Sequence, residues 1–208
     1  MFDIENYTVF LISGIILNIT PGADTMYILG RSISQGTKAG VLSVLGIING
    51  ALVHTILVAF GLSVIISQSE MAFTIIKCAG AIYLGYIGIK TLISKSTPIE
   101  PSESKKSTGR KIYLQGFLTN LLNPKVALFY LAFLPQFISK NNHYGALPFL
   151  ILGFTFITTG TIWCLTLAIF SSKISAQLRK NRTVSNILNK ATGLLFLGLG
   201  VNLLIQKI

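Results

Sequence analysis

Charged residues are scarce in this chain of 208 residues: they make up 11% of it, and only 6 of them are Asp or Glu. Soluble domains carry about 25% charged residues, so the composition argues against a water-soluble fold. The apolar fraction of 51% excludes a disordered chain. The 2 cysteines form no Cys-x-x-Cys motif. Metal-ligand spacings, phosphate loops and soluble catalytic constellations are also missing from the sequence. We therefore expect no cofactor and no enzymatic activity.

What the chain has instead is six long apolar runs. A membrane span needs about 20 apolar residues to cross about 30 Å of hydrocarbon. Steady apolar character without alternation favours helices over the strands of a β-barrel. The runs cover 7–29, 41–66, 71–93, 112–138, 144–170 and 188–205. The sequence thus predicts an all-α polytopic membrane protein with six transmembrane helices.

The basic residues indicate the orientation of these helices. Two of the 17 Lys and Arg residues lie between the first two runs, six lie from Lys90 to Lys111 around the gap between runs three and four, and five lie from Lys173 to Lys190 around the gap between runs five and six. By the positive-inside rule these loops are cytoplasmic and both termini lie outside. Arg31 and Lys38 in the first loop are candidate residues of a cytoplasmic gate. Because Asp3 and Glu5 precede the first run, we expect a retained helix rather than a cleaved signal peptide. No basic segment carries the interleaved aromatics of a nucleic-acid-binding surface, so we expect no nucleic-acid partner.

A polar segment, residues 94–111, divides the chain into halves. We expect a mobile cytoplasmic linker there, joining a three-span repeat at 1–93 to a second at 112–208 within one membrane domain. The motifs that recur are Gly14-x3-Asn18-x2-Pro21 with Gly116-x3-Asn120-x3-Pro124, Leu45-Gly46 with Leu152-Gly153, and Gly80-x2-Tyr83-Leu84-Gly85 with Gly193-x2-Phe196-Leu197-Gly198. Three spans per repeat invert the second half across the membrane. Inverted repeats are typical of transporters that bind substrate near the midplane. Gly46-x3-Gly50 also predicts close helix packing.

Helix-breaking residues interrupt the first and fourth runs. The interruptions are Thr20-Pro21-Gly22-Ala23-Asp24 and Asn123-Pro124-Lys125. Proline removes a backbone donor and disfavours helix at the residue before it. We predict breaks at Pro21, Gly22 and Pro124, with Asn18, Thr20, Asn120 and Asn123 near the freed backbone groups. Ordinary proline kinks without a function are the alternative.

Each interruption also carries an ionisable residue, Asp24 or Lys125. A charge inside a span costs about 2.5–3.5 kcal/mol on insertion scales, so we expect a substrate or proton site. Lys125 and the amides after Pro21 suit a carboxylate. Asp24, with the carbonyls freed near Asn18 and Asn123, suits an ammonium group or the coupling proton. Snorkelling of Asp24 to the inner edge is the alternative, and a direct Asp24–Lys125 ion pair stays open.

One further ionisable residue lies within a span. His54 falls in the middle of the second run. A buried neutral histidine bonded to a backbone carbonyl is the favoured interpretation, and a proton relay is the alternative.

Taken together, these motifs resemble the LysE/RhtB family of bacterial amino-acid exporters over essentially the whole chain. The residues that carry the resemblance are Thr20-Pro21-Gly22-Ala23-Asp24, Arg31, Gly36-Thr-Lys38-Ala-Gly40, Gly80–Gly88, Gly116–Lys125, Phe133–Phe137 and Gly193–Gly200. The chain departs from the family at Ala23, where a second proline is usual, but it keeps Asp24.

The resemblance implies efflux of amino acids or close derivatives, such as homoserine, threonine, leucine or lysine, driven by the proton motive force. It also implies a multi-pass protein of the bacterial inner membrane, with lipid and a zwitterionic substrate as partners. A homodimer is a further expectation. The alternatives are a membrane-embedded redox or enzyme component and a channel.

Overall fold

The computed structural model describes residues 2–62, 107–139 and 141–171 continuously, and single helical positions between 71 and 93 and between 187 and 201. Its elements are α1 (Tyr7–Ile19), α2 (Ala23–Gln35), α3 (Thr37–Ile56) continued by a π-helix (Leu57–Leu62), α4 (Gly109–Leu121), α5 (Pro124–Leu128) continued by a π-helix (Phe129–Phe133) and a 3-10 helix (Leu134–Phe137), and α6 (Leu147–Ile169). Within these ranges the extended structure is limited to one isolated bridge, so the all-α prediction is confirmed there.

Two uninterrupted helices in the described ranges are long and apolar enough to cross a membrane: Thr37–Gly61, with 25 residues, and Leu147–Ile169, with 23. At about 1.5 Å per residue both exceed the thickness of the hydrocarbon core. The pair α1 and α2, and the pair α4 and Pro124–Phe137, reach this length only when each bent pair counts as one span. By length and composition, the described residues thus contain two to four candidate membrane spans. Most of the predicted third and sixth spans, and most of the 94–111 linker, lie outside the described residues.

Both bent pairs turn by 46° at a short break. In the first pair, α1 ends at Ile19, and Thr20 adopts an extended conformation with ψ 122°. In the second, Asn123 is extended with ψ 111° and Pro124 begins α5. Each extended residue directly precedes a proline, whose ring disfavours helical backbone at that position. The two bends therefore have the same local cause.

The N-terminal segment fixes which loops share a side of the molecule. Ile4 pairs with Ile138 in an antiparallel bridge, and the Glu5 amide donates to the Phe137 carbonyl at 2.8 Å. Asp3 accepts a hydrogen bond from the His143 amide, also at 2.8 Å. The N-terminus and the loop before α6 therefore lie on one side. At the other end of the α1–α2 pair, Gln35 accepts from the Ser107 amide.

Helix α3 lies at the centre and packs against α2, α4 and α6. A Cβ atom at Gly46 would collide with the Tyr113 carbonyl, and one at Gly116 would lie 2.7 Å from the Ser43 carbonyl oxygen. Glycine lets these two backbones touch, which confirms the packing role predicted for Gly46. Gly88 and Gly193, two of the isolated helical positions that the structure describes, also face each other. A Cβ at Gly88 would lie 3.0 Å from the Gly193 carbonyl oxygen.

Two apolar clusters fill the interior of the described part. One is rich in aromatic rings from α1, the π-helix after α5 and α6, and includes Phe10, Phe129 and Phe156. Phe129 and Phe156 stack with their centroids 3.9 Å apart. The second is aliphatic and includes Ile28, Val44 and Leu167. The polar residues of the two helix breaks lie between these clusters.

Candidate functional site

A cavity of about 60 Å³ lies where the two helix breaks face α3 and α6. This volume has room for a few water molecules. The sequence predicted six substrate or coupling residues, and all six lie on its wall: Asn18, Thr20, Asp24, Asn120, Asn123 and Lys125. Gly22 lies there too. The fold thus brings residues from both halves of the chain into one site, and their role in transport stays a prediction.

Lys125 joins the second break to the first. Its ammonium group donates to the Leu17 carbonyl at 2.7 Å and to the Thr20 carbonyl at 2.9 Å. In an uninterrupted helix the Leu17 carbonyl would accept from residue 21, but Pro21 has no N–H to give. Lys125 supplies the missing donor, and its positive charge suits the carboxyl end of α1. An ammonium group has three N–H donors, so one is available to a further acceptor.

This contact adds a partner that the sequence interpretation did not include. The carbonyls freed near Asn18 were predicted to face the ammonium of a substrate together with Asp24, and that role stays a prediction. In the structure the carbonyls of Leu17 and Thr20 accept hydrogen bonds from Lys125, whose stem reaches across from the second break.

Asp24 occupies the first turn of α2, directly after the extended Gly22. One carboxylate oxygen, Oδ2, accepts a hydrogen bond of 2.8 Å from the Asn120 side-chain amide. The Asn123 side chain also lies beside the carboxylate. Among the described residues, neither the other oxygen, Oδ1, nor Asn120 Oδ1 has a partner in good hydrogen-bond geometry, and both atoms are buried. A buried acceptor without a donor costs about 1–3 kcal/mol. The two oxygens therefore favour a ligand that donates hydrogen bonds.

Within the structure as described, the Asp24 carboxylate and the Lys125 ammonium form no ion pair with each other. Lys125 is held by the carbonyls of α1, and Asp24 is held by Asn120. One cavity wall therefore presents a negative and a positive group with separate partners. Such an arrangement leaves both charges able to interact with a dipolar ligand.

The other predicted polar residues hold the backbone around the cavity. Asn18 donates to the Thr159 hydroxyl at 3.1 Å and to the Phe156 carbonyl at 3.4 Å, which fastens α1 to α6. The Thr20 hydroxyl donates to the Ile16 carbonyl at 2.7 Å. Asn123 accepts from the Lys125 amide at 3.0 Å and so caps α5.

The remaining wall is mostly apolar and was not predicted from the sequence. It comes from α3 and α6, and its residues are Ile47, Ile48, Ala51, Phe156, Ile157, Gly160, Thr161 and Cys164, with Leu17 and Val126 beside the breaks. The members within α3 and within α6 recur at spacings of one to four residues, which places them on one face of each helix. That spacing is the one signal the sequence offered.

His54 lies one turn beyond Ala51 on α3. Its side chain is buried, with 8% exposed, and its ring stacks on Tyr130 with centroids 5.5 Å apart. The imidazole lies beside the backbone carbonyls of Asn120 and Leu121. Tyr130 is fully buried and its hydroxyl lies 3.0 Å from that of Thr55. Burial beside backbone carbonyls agrees with the favoured interpretation of His54 as a neutral histidine bonded to a carbonyl, and the alternative of a proton relay stays open.

The two candidate gate residues differ in their surroundings. Arg31 is buried near the end of α2, where its guanidinium donates to Gln115 at 2.7 Å and lies over the Tyr27 ring. Lys38 is exposed in the first turn of α3. A gating role for either residue stays a prediction.

Comparison with known proteins identifies the family. The LysE type translocator family matches residues 15–207. The uncharacterized membrane protein YrhP of Bacillus subtilis is 33% identical over 88% of this chain and 90% of its own length. A protein of Klebsiella pneumoniae named leucine efflux protein is 28% identical over 97% of this chain and 96% of its own. An uncharacterized membrane protein of Vibrio cholerae is 28% identical over 99% of both chains.

No solved structure matches the chain. The family match nevertheless spans both halves of the chain and both helix breaks. The protein therefore belongs to the LysE type translocator family and is a transporter rather than an enzyme.

Proposed function

We propose that this protein exports amino acids with neutral, apolar side chains from the cytoplasm, driven by the proton motive force. One observation carries the proposal: a single cavity offers one carboxylate, Asp24, and one ammonium, Lys125, which are not paired with each other. A free amino acid is a zwitterion with the complementary pair of charges. Burying both charges costs much free energy unless each has a charged or hydrogen-bonding partner.

Lys125 and the start of α2 suit the substrate carboxylate. Two of the three N–H donors of Lys125 serve the carbonyls of α1, which leaves one for a carboxylate. The first amides of α2 have no intrahelical acceptor, because the helical bonds begin at Met26, which donates to Gly22. A helix N-terminus and a lysine together favour an anion.

Asp24 and Asn120 suit the substrate ammonium. Among the described residues, Asp24 Oδ1 and Asn120 Oδ1 lack a hydrogen-bond partner in good geometry, and both are acceptors. An ammonium group brings three donors and a positive charge, which would satisfy both oxygens and neutralise the carboxylate. Hydrogen bonds to charged groups contribute about 1.5–3 kcal/mol each.

The apolar wall supports a substrate without a third charge. Asp24 and Lys125 are the two charged residues on the wall, and the side facing them is built from residues such as Ile47, Ala51 and Ile157. The side chain of lysine or glutamate would leave an unpaired charge in this wall, which costs several kcal/mol. The Klebsiella relative named leucine efflux protein is consistent with an aliphatic side chain.

We further propose that residues 1–93 and 112–208 are inverted repeats with six spans in total. Contacts between corresponding helices support this symmetry. A Cβ at Gly14 would meet Phe156 on α6 at 3.4 Å, and one at Gly116 would meet Ser43 on α3 at 2.7 Å. Exchange of the two halves relates the helix pair α1–α6 to the pair α4–α3, although Phe156 and Ser43 are not corresponding positions.

A second pair of contacts joins the same two helix pairs. A Cβ at Gly160 on α6 would lie 3.1 Å from Asn18 Oδ1, and one at Gly50 on α3 would lie 2.8 Å from Asn120 Oδ1. The two asparagines occupy corresponding positions in the repeated motifs. Transporters built from such repeats alternate access by moving one part against the other around a fixed site.

Coupling would arise because Asp24 binds either the substrate ammonium or a proton. With both termini outside, protonation of Asp24 from the external side would release the amino acid outward. Loss of that proton to the cytoplasm would prepare the carboxylate for the next substrate. One zwitterion out for one proton in moves a net positive charge inward, so the membrane potential adds about 2.3 kcal/mol per 100 mV.

The test is a substrate screen with purified protein in liposomes. A pH gradient, acid inside, is applied, and the uptake of labelled amino acids is measured with and without a protonophore. We expect uptake of leucine, isoleucine, valine and methionine, and no competition by lysine or glutamate. Uptake that prefers a charged amino acid contradicts the proposed selectivity, and uptake insensitive to the protonophore contradicts the coupling.

A further inference from the structure

We infer that His54 carries the coupling proton between the external side and Asp24. The inference rests on the proposed proton-coupled export and adds a second protonatable residue to it. Two observations outside the Asp24 site support it: a buried imidazole nitrogen without a partner, and the position of His54 one turn beyond the cavity wall.

The first observation concerns the Nε2 atom. This nitrogen is buried and has no hydrogen-bond partner among the described residues. The His54 residue as a whole is 8% exposed. A purely structural histidine in a membrane helix is expected to use both ring nitrogens, since an unsatisfied buried polar group costs about 1–3 kcal/mol. An unpartnered imidazole nitrogen can accept and release a proton, which is the usual role of histidine in proton transfer.

The second observation concerns its place along α3. This helix begins at Thr37, at the end that we propose to be cytoplasmic, and Ala51 lies on the cavity wall. His54 lies three residues further, about 5 Å closer to the outside. It therefore occupies the path that a proton from the external side would take to Asp24.

The groups near His54 and the cavity come from several elements. From α2, Asp24 is the acidic residue within electrostatic range of the imidazole. From the π-helix after α5, Tyr130 stacks on the ring and keeps its hydroxyl on Thr55. Lys125 of α5 and Cys164 of α6 lie on the cavity wall with Asp24. Asn120 connects the two sites, because its backbone lies beside His54 and its side chain donates to Asp24.

The transfer balances in protons and charge. In the outward-open state Nε2 takes a proton from a hydronium ion of the external solution, which leaves as water, and the ring becomes an imidazolium. The Nε2–H bond then breaks as an O–H bond forms on the Asp24 carboxylate, and the imidazole is neutral again. Neutral Asp24 no longer attracts the substrate ammonium, and the zwitterion leaves. In the inward-open state Asp24 returns the proton to the cytoplasm.

The experiment separates proton coupling from substrate binding. His54→Gln, which cannot carry a proton, and His54→Phe, which keeps an aromatic ring against Tyr130, are placed in liposomes. Exchange of labelled for unlabelled leucine at equal pH is measured beside uptake driven by an acid interior. His143→Gln is the matched control, because His143 is the second histidine of the chain and is exposed.

We expect both His54 variants to keep the wild-type rate of leucine exchange. Their gradient-driven uptake should fall at least about tenfold, because removal of a proton-transfer group commonly lowers a rate by that much or more. His143→Gln should keep both rates. Normal gradient-driven uptake in His54→Gln overturns the inference, and so does a parallel loss of exchange and uptake in both variants, which identifies a structural role. Absence of exchange in the wild-type protein overturns the proposed function itself.

Discussion

The side-chain amide of Asn120, at the end of α4, donates a hydrogen bond of 2.8 Å to the carboxylate of Asp24, in the first turn of α2. This contact joins the two bent helix pairs directly, across 96 residues of sequence. A movement of either pair therefore moves the environment of the carboxylate. Substitutions at these residues and their neighbours test this coupling.

Lys125→Ala removes the donor that satisfies the Leu17 and Thr20 carbonyls and the positive charge proposed for the substrate carboxylate. We expect leucine exchange to fall at least about tenfold, which corresponds to ~1.4 kcal/mol. The measurement is the initial exchange rate in liposomes with matched protein content. Lys111→Ala, at an exposed lysine of α4, is the control and should exchange normally. A Lys125→Ala protein as active as this control would exclude the ammonium from the site.

Gly50→Ala tests the position of Asn120 without changing any polar group. A Cβ at Gly50 would lie 2.8 Å from Asn120 Oδ1, whereas one at Gly30 on α2 would meet nothing within 4 Å. We expect Gly50→Ala to displace the Asn120 side chain from Asp24 and to raise the KM for leucine several-fold. Gly30→Ala should transport normally, because alanine is tolerated in an open helical position. Equal kinetics of the two variants would show that Asn120 does not orient Asp24.

Asn18→Ala and Asn120→Ala should both give intermediate transport rates, between those of the wild-type protein and of a variant that lacks the Asp24 charge. Asn18 fastens α1 to α6, and Asn120 holds one of the two carboxylate oxygens. Each loss removes hydrogen bonds worth about 0.5–1.5 kcal/mol net. Exchange rates measured side by side check this order. A wild-type rate in both variants would contradict it.

Reporter fusions test the orientation. We expect fusions at Ser69 and His143 to read external and a fusion at Ser102 to read cytoplasmic. The structure already holds the N-terminus and the His143 loop on one side through the Asp3–His143 contact. An external reading at Ser102 would reverse the proposed orientation and the direction of transport derived from it.

The sequence predicted the described uninterrupted spans closely. The runs 41–66 and 144–170 correspond to the helical stretches Thr37–Gly61 and Leu147–Ile169, because hydropathy reports the length of a membrane helix directly. The change to a π-helix at Leu57 has no comparable signal. The wider turn of a π-helix, with i→i+5 hydrogen bonds, changes which side chains face the core but leaves the composition unchanged.

The polar half of the site was easier to predict than the apolar half. Asp24 and Lys125 are conspicuous because an ionisable residue inside a membrane span has a large free-energy cost of insertion. Ile47 and Ala51, in contrast, look like any other apolar residue of a span, and only the packing of α3 against the helix breaks turns them toward the cavity. The partners of Lys125 also required the fold, since Leu17 and Thr20 lie more than 100 residues away in sequence.

The most direct test of the account is Asp24→Asn. Asparagine has nearly the same shape and can still accept the Asn120 hydrogen bond, so the protein should fold and insert like the wild type. It can neither attract an ammonium group by charge nor carry a proton. In liposomes with an acid interior, we predict that leucine uptake by Asp24→Asn falls to the level of protein-free liposomes. Uptake close to the wild-type rate, by protein with the wild-type chromatographic profile, would remove Asp24 from the transport mechanism and contradict the central claim.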